Sequence, residues 1–233
     1  MIVGERKPLN EIKEKVKDYK KLLILGCGTC VAVCMAGGEK EVELLASQLR
    51  MSNELDKKEV EIKEATIQRQ CDKEYIEPIV ELAKKYDAVL SLACGAGVQL
   101  VADMLEPMPV IPGLNTRFIG IAEEEGKWSE RCRACGNCVL GEYGGICPIT
   151  RCPKSILNGP CGGSQNGKCE TSKERDCAWA LIYNRLAKQG KLENLYKVAP
   201  PKDFRTQDFP ARQVNENYVK ATKTEGKAAT VKK

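Results

Sequence analysis

Apolar and polar positions along the chain alternate in units, each a strand-like run followed by a helix-like stretch. LNEIKEKVKDYKK at 9–21 carries its apolar residues at helical spacing and predicts an amphipathic helix. LLILG at 22–26 is an unbroken apolar run that stops at glycine, as a strand buried on both faces would. From Val31 to Arg50 the pattern turns helical, with Leu44, Leu45 and Leu49 on one side. A charged stretch, MSNELDKK, leads to the alternating EVEIKEATI at 59–67, a second predicted strand. A helix at 74–85, a strand at 87–93 (DAVLSLA), a helix at 98–105 and a strand at 117–123 (RFIGIAE) complete the series.

Such alternation predicts the α/β class, with a small three-layer parallel-sheet domain over 1–127. Beyond Gly126 the chain turns to Cys, Gly and Pro with little periodicity, until a predicted helix at 174–189. Residues 128–198 are therefore expected to form a cysteine-rich, metal-stabilised irregular domain ending in that helix. From 199 to 233 the chain carries Pro200, Pro201, Pro210 and a Lys-rich end, and reads as an extended tail, disordered or partner-binding.

The chain has no run of the apolar length a membrane span needs, and its start lacks a signal-peptide core, so a cytoplasmic protein is expected. Thirteen cysteines in a reducing compartment point to metal rather than disulfides. The absence of histidine excludes Cys/His zinc fingers, His-ligated haem and His-based acid–base catalysis. Any soft metal must then be held by thiolates. Residues 1–127 hold 18 Lys and Arg against 22 Asp and Glu, a balance of −4, while residues 128–233 hold 19 against 10, a balance of +9. Where the basic residues interleave with cysteines, over 131–177, Tyr143 is the one aromatic side chain, which argues against nucleic acid. Cationic residues interleaved with cysteines instead suit the charge of about −2 that each oxidised four-thiolate cubane adds.

Two cysteine constellations carry the chemistry. LLILGCGTC and VLSLACGAG echo each other, each an apolar strand followed by Cys-Gly. Loops after strand C-termini share one edge of a parallel sheet, so Cys27 and Cys30, Cys71 and Cys94 come from three neighbouring loops and could share one site. The rival reading is a redox-active Cys-x-x-Cys pair at Cys27 and Cys30. Cys34 is read as a buried small hydrophobe. The second constellation holds Cys132, Cys135, Cys138, Cys147, Cys152, Cys161, Cys169 and Cys177. Eight thiolates satisfy two four-ligand sites: two cubanes, or one cubane and one zinc. The opening Cys-x-x-Cys-x-x-Cys favours a cubane for at least one of them.

This second segment resembles the cysteine-rich module of methylenetetrahydrofolate reductases, most specifically in GGICP at 144–148, CPK at 152–154 and NGPCGG at 158–163. Over roughly 22–190 the chain is similar to the small MetV-type subunit of the two-subunit reductases of acetogenic bacteria. That resemblance implies a flavin-bearing TIM-barrel partner, with FMN on that partner, and a non-catalytic role for this chain. It implies electron relay, through two or three 4Fe–4S clusters, between ferredoxin or another redox subunit and that flavin, in one-carbon folate metabolism of the reductive acetyl-CoA pathway. Zinc in place of one cluster is the alternative, as is a zinc-stabilised scaffold with no redox role. Arg131, Arg133, Arg151 and Lys154 flank the implied ligands, where they could tune potentials or dock an acidic donor.

Overall fold

The computed structural model describes residues 1–207 and 210–215. A four-stranded parallel sheet is its centre, built from β2 (Lys21–Cys27), β3 (Glu61–Ile67), β4 (Ala88–Leu92) and β5 (Val110–Pro112) in the order β3-β2-β4-β5. Successive residues of β2 face opposite sides. Leu22 and Ile24 enter one core, together with Val42, Leu45 and Leu49 of α3 (Glu39–Leu55) and Ile12 of α1 (Leu9–Val16). Leu23 and Leu25 enter the other, with Ile76 of α4 (Lys73–Ile76), Ala83 of α5 (Val80–Ala83) and Val101 of α6 (Gly95–Met104). Helices thus cover both faces, which gives the predicted three-layer α/β architecture.

The details depart from the expectation where a local breaker or a second sheet intervenes. The predicted helix 31–50 is two helices: α2 is only Cys30–Val33, and the chain turns through Met35 at φ 53° before α3 begins. The turn is held because Cys27 N–H donates to Gly37 O at 2.8 Å, and a Cβ on Gly37 would stand 2.0 Å from Leu92 O. Only glycine permits that approach. Helix α3 continues through the charged stretch to Leu55, and Leu44 points outward at 53% exposure while Leu45 and Leu49 are buried. Pro78 interrupts the predicted helix 74–85, leaving a 3₁₀ turn at Glu77–Ile79 between α4 and α5.

The strand expected at 117–123 exists but belongs elsewhere. It lies within β6 (Leu114–Glu124), which pairs antiparallel with β1 (Ile2–Arg6) on one side and β7 (Lys127–Cys132) on the other. The β6–β7 hairpin carries the chain across residue 127 and delivers Cys132 to the cysteine-rich half.

That half has a core of its own. Tyr143, Ile146, Trp179, Ile182 and Leu186 are buried together, organised by α8 (Ala178–Gln189), with α7 (Pro148–Arg151) packed against both α8 and β7. The helix predicted from residue 174 starts later, because 172–176 form β9 (Ser172–Asp176), paired antiparallel with β8 (Lys168–Cys169). Of the predicted 199–233 tail, residues 199–207 and 210–215 are described, and the remainder lies outside the described residues.

Gln70 links the strands beneath the first cysteine constellation. Fully buried, it donates from Nε2 to Leu25 O at 2.9 Å and accepts from Ser91 Oγ at 2.6 Å. Gln70→Ala strands both partners away from water, so the unfolding free energy should fall by about 1–3 kcal/mol, read from denaturant melts.

Candidate metal centres

The sheet order places a topological switch point between β2 and β4, since the chain leaves β2 to one side for β3 and to the other for β4. Ligands of open α/β sheets bind beyond the strand C-termini at such a point. Cys27 ends β2, Cys30 opens α2 in the same loop, and Cys94 immediately precedes α6 after β4. Cys71 follows Gln70 in the loop after β3. The thiols of Cys27, Cys71 and Cys94 are within electrostatic reach. Burial pushes the Cys71 thiol up, and charge on Cys94 and Cys27 pushes it the same way. Cys27 Sγ lies 3.7 Å from Thr29 Oγ1. Cys34 stands apart from this edge, buried against β1. It accepts from Gly4 N–H at 3.4 Å, donates to Val31 O at 3.5 Å, and burial raises its thiol. This is the inert packing cysteine that its sequence position implies.

In the C-terminal half the eight cysteines divide spatially. Cys152, Cys161, Cys169 and Cys177 line a single hollow of about 20 Å³ together with Lys154, Glu170 and Trp179. Cys152 and Cys177 are buried, Cys152 closing α7 and Cys177 preceding α8. Cys161 Sγ reaches Glu170 Oε2 at 3.6 Å. Cys169 lies 3.3 Å from Thr171 Oγ1, and hydrogen bonds with Thr171 hold its thiol below the ordinary range. The other four lie outside that hollow. Cys132 ends β7 and accepts from Ala134 N–H at 3.3 Å, Cys135 and Cys138 follow in a loop with positive φ at Ala134 and Gly136, and Cys147 opens α7. Helix α7, which Cys147 opens, packs on β7, which Cys132 ends. Burial works against ionisation of Cys135, yet a backbone hydrogen bond with Asn137 and the Lys202 side chain outweigh it, leaving this thiol below its usual value.

Among the described residues, no three Cys, Asp or Glu side chains are drawn together tightly enough to grip an ion as they stand. Thiols gather at the sheet edge and around the hollow without closing on an ion. Three of the four flanking cations already have carboxylate partners: Arg131 with Glu123 at 2.6 Å, Arg133 with Glu130 at 3.5 Å, and Lys154 with Glu170. Arg151 is half-buried, and burial together with neighbouring Arg131 weakens its hold on its proton. A larger hollow of about 490 Å³ opens among Lys20, Lys21, Arg50 and Glu61 at the opposite edge of the sheet, and contains no cysteine.

Residues 111–205 match the family described as methylene-tetrahydrofolate reductase C terminal. The match covers less than half of the chain and relates its cysteine-rich half, with the β6–β7 hairpin, to the methylenetetrahydrofolate reductases. It extends beyond residue 190 into the segment after Ala199. The parallel sheet lies almost wholly outside it. No curated protein and no solved structure matches the chain. Among the described residues no helix is long and apolar enough to cross a membrane.

Sequence reasoning missed the core behind the second constellation. Trp179 meets Tyr143 edge-on at 5.4 Å and donates from Nε1 to Ile156 O at 3.1 Å, while Tyr143 OH donates to Leu157 O at 3.1 Å. These bonds fix the loop bearing NGPCGG. A Cβ on Gly159 would lie 2.5 Å from Trp179 Nε1 and as close to the rest of the indole, so the motif's first glycine is where the loop rests on the ring. Gly159→Ala must displace a buried indole and should lower stability by about 1–3 kcal/mol, with near-ultraviolet circular dichroism of Trp179 perturbed as the specific signature.

Proposed function

We propose that this chain is the metal-bearing, non-catalytic subunit of a methylenetetrahydrofolate reductase of the MetV type. In this reading it relays electrons between an external donor, such as ferredoxin, and the flavin of a TIM-barrel partner. The observation that carries the proposal is the placing of thiols at loop ends, with Cys27, Cys71 and Cys94 within electrostatic reach at the sheet edge and four more around one hollow, in a chain with no histidine. Thiolates are the donor set that iron–sulfur clusters take, so the residues present fit that group.

Cys27, Cys30, Cys71 and Cys94 would hold one cluster at the switch point of the sheet. Cys132, Cys135 and Cys138, with Cys147 as the more distant fourth ligand, would hold another. Bound there, such clusters supply reversible one-electron transfer. The chain's own part is to present thiolates from fixed strand and helix ends, to exclude water behind them with the three cores, and to balance thiolate charge with cations. For the third set a specific observation favours the second reading. All four of its cysteines line one small hollow. Cys152, Cys161, Cys169 and Cys177 therefore suit a single tetrahedral zinc ion holding α7, the β8–β9 hairpin and α8 together.

Chain purified without oxygen should then contain about eight irons and one zinc. Cys94→Ser should remove about four irons and leave the zinc in place, whereas Cys34→Ser should change neither count. Zinc without iron would favour the scaffold reading and end the relay.

A further inference from the structure

The segment after α8 does not run free. Asn194 Nδ2 donates to Glu142 O at 3.1 Å. Farther on, Asn158 makes a reciprocal pair with Ala199, its Nδ2 donating to Ala199 O and its Oδ1 accepting from Ala199 N–H, both at 2.8 Å. The chain then passes over the Cys132–Cys138 loop. Lys202 Nζ donates to Asn137 O, the carbonyl that also accepts from Cys135 Sγ at 3.7 Å, which brings the ammonium beside that thiol. Gln207 Nε2 reaches Arg133 O and Ala134 O, each at 3.3 Å. Three successive points of residues 199–207 are therefore tied to the module, two of them to the backbone of the cysteine triplet itself.

This arrangement explains a feature of the NGPCGG motif that its cysteine does not. The Asn158 amide satisfies both backbone groups of Ala199. A backbone-matching pair of this kind fixes the direction in which the chain leaves it. The family match runs to residue 205 and so includes Lys202.

We propose that residues 199–207 are a strap that closes over the Cys132–Cys138 loop, pinned by Asn158, and that Lys202 is a positioning residue whose ammonium stabilises negative charge at Cys135. The metal side of this proposal rests on the reading that the triplet holds a metal group. An ammonium against a ligand thiolate favours the more negative, reduced state of whatever the thiolate holds, and so raises its potential. The strap also limits access to Cys135, the half-buried thiol of the triplet, while Cys132 and Cys138 stay exposed.

The test uses full chain purified without oxygen, as wild type and as Asn158→Ala, Lys202→Gln and Lys202→Arg. Alkylation of Cys135 by iodoacetamide, followed by peptide mass spectrometry, should quicken about three- to five-fold in Asn158→Ala, the scale of one exposed contact. Iron release to a chelator should quicken similarly in Asn158→Ala and Lys202→Gln. The midpoint potential should fall in Lys202→Gln and be restored in Lys202→Arg. Unchanged alkylation and release in Asn158→Ala would overturn the strap. Faster release with an unchanged potential in Lys202→Gln would overturn the role of Lys202. An iron-free wild type whose Cys135 is still protected by Asn158 would sink the cluster reading and leave the strap standing.

Discussion

Without histidine, a chain must hold a soft metal chiefly through thiolate sulfur, and a set of four distant thiolates meets where loops from separate elements end together. That constraint is visible throughout this molecule. At the sheet, parallel strand order brings the loops after β2, β3 and β4 to one edge, so Cys27, Cys30, Cys71 and Cys94 share it. In the other half there is no large sheet to do this, and the same task falls to Trp179 and its neighbours. Helix α8 lays an apolar face on the Cys-Pro and Gly-Pro loops and holds the hollow lined by four cysteines against itself.

The two halves are joined by backbone rather than by a loose linker. The β6–β7 hairpin is anchored on β1, itself tied to the first unit where Gly4 meets Cys34, and it ends at Cys132. Within the C-terminal half, the segment after α8 returns to the triplet loop through Asn158, Lys202 and Gln207. The loop that begins at Cys132 is thus supported from its strand on one side and covered by the strap on the other.

Much of this was legible in the sequence. The buried strands β2 and β4 are dense apolar runs, β3 alternates cleanly, and the Cys-Gly steps that follow β2 and β4 mark their ends. The breaks were less legible, because they depend on partners far along the chain. The turn at Met35–Gly38 exists because Gly37 packs on Leu92 of β4, and Leu44 points outward because α3 meets the sheet through Val42, Leu45 and Leu49. β1 and β6 form a second, antiparallel sheet whose pairing spans more than a hundred positions, which periodicity cannot reveal. The grouping of the eight C-terminal cysteines was hidden for a related reason. Cys152 and Cys177 are twenty-five positions apart and come together only through the packing of α7 and α8 around Trp179.

The central claim is that these thiols hold iron–sulfur centres that exchange electrons. Visible absorption of the oxygen-free chain, followed through a cycle of dithionite reduction and reoxidation, tests it most directly. The account predicts a brown protein whose absorption bleaches on reduction and returns on oxidation, with a paramagnetic signal in the reduced state. A colourless chain, silent in both states, would contradict it.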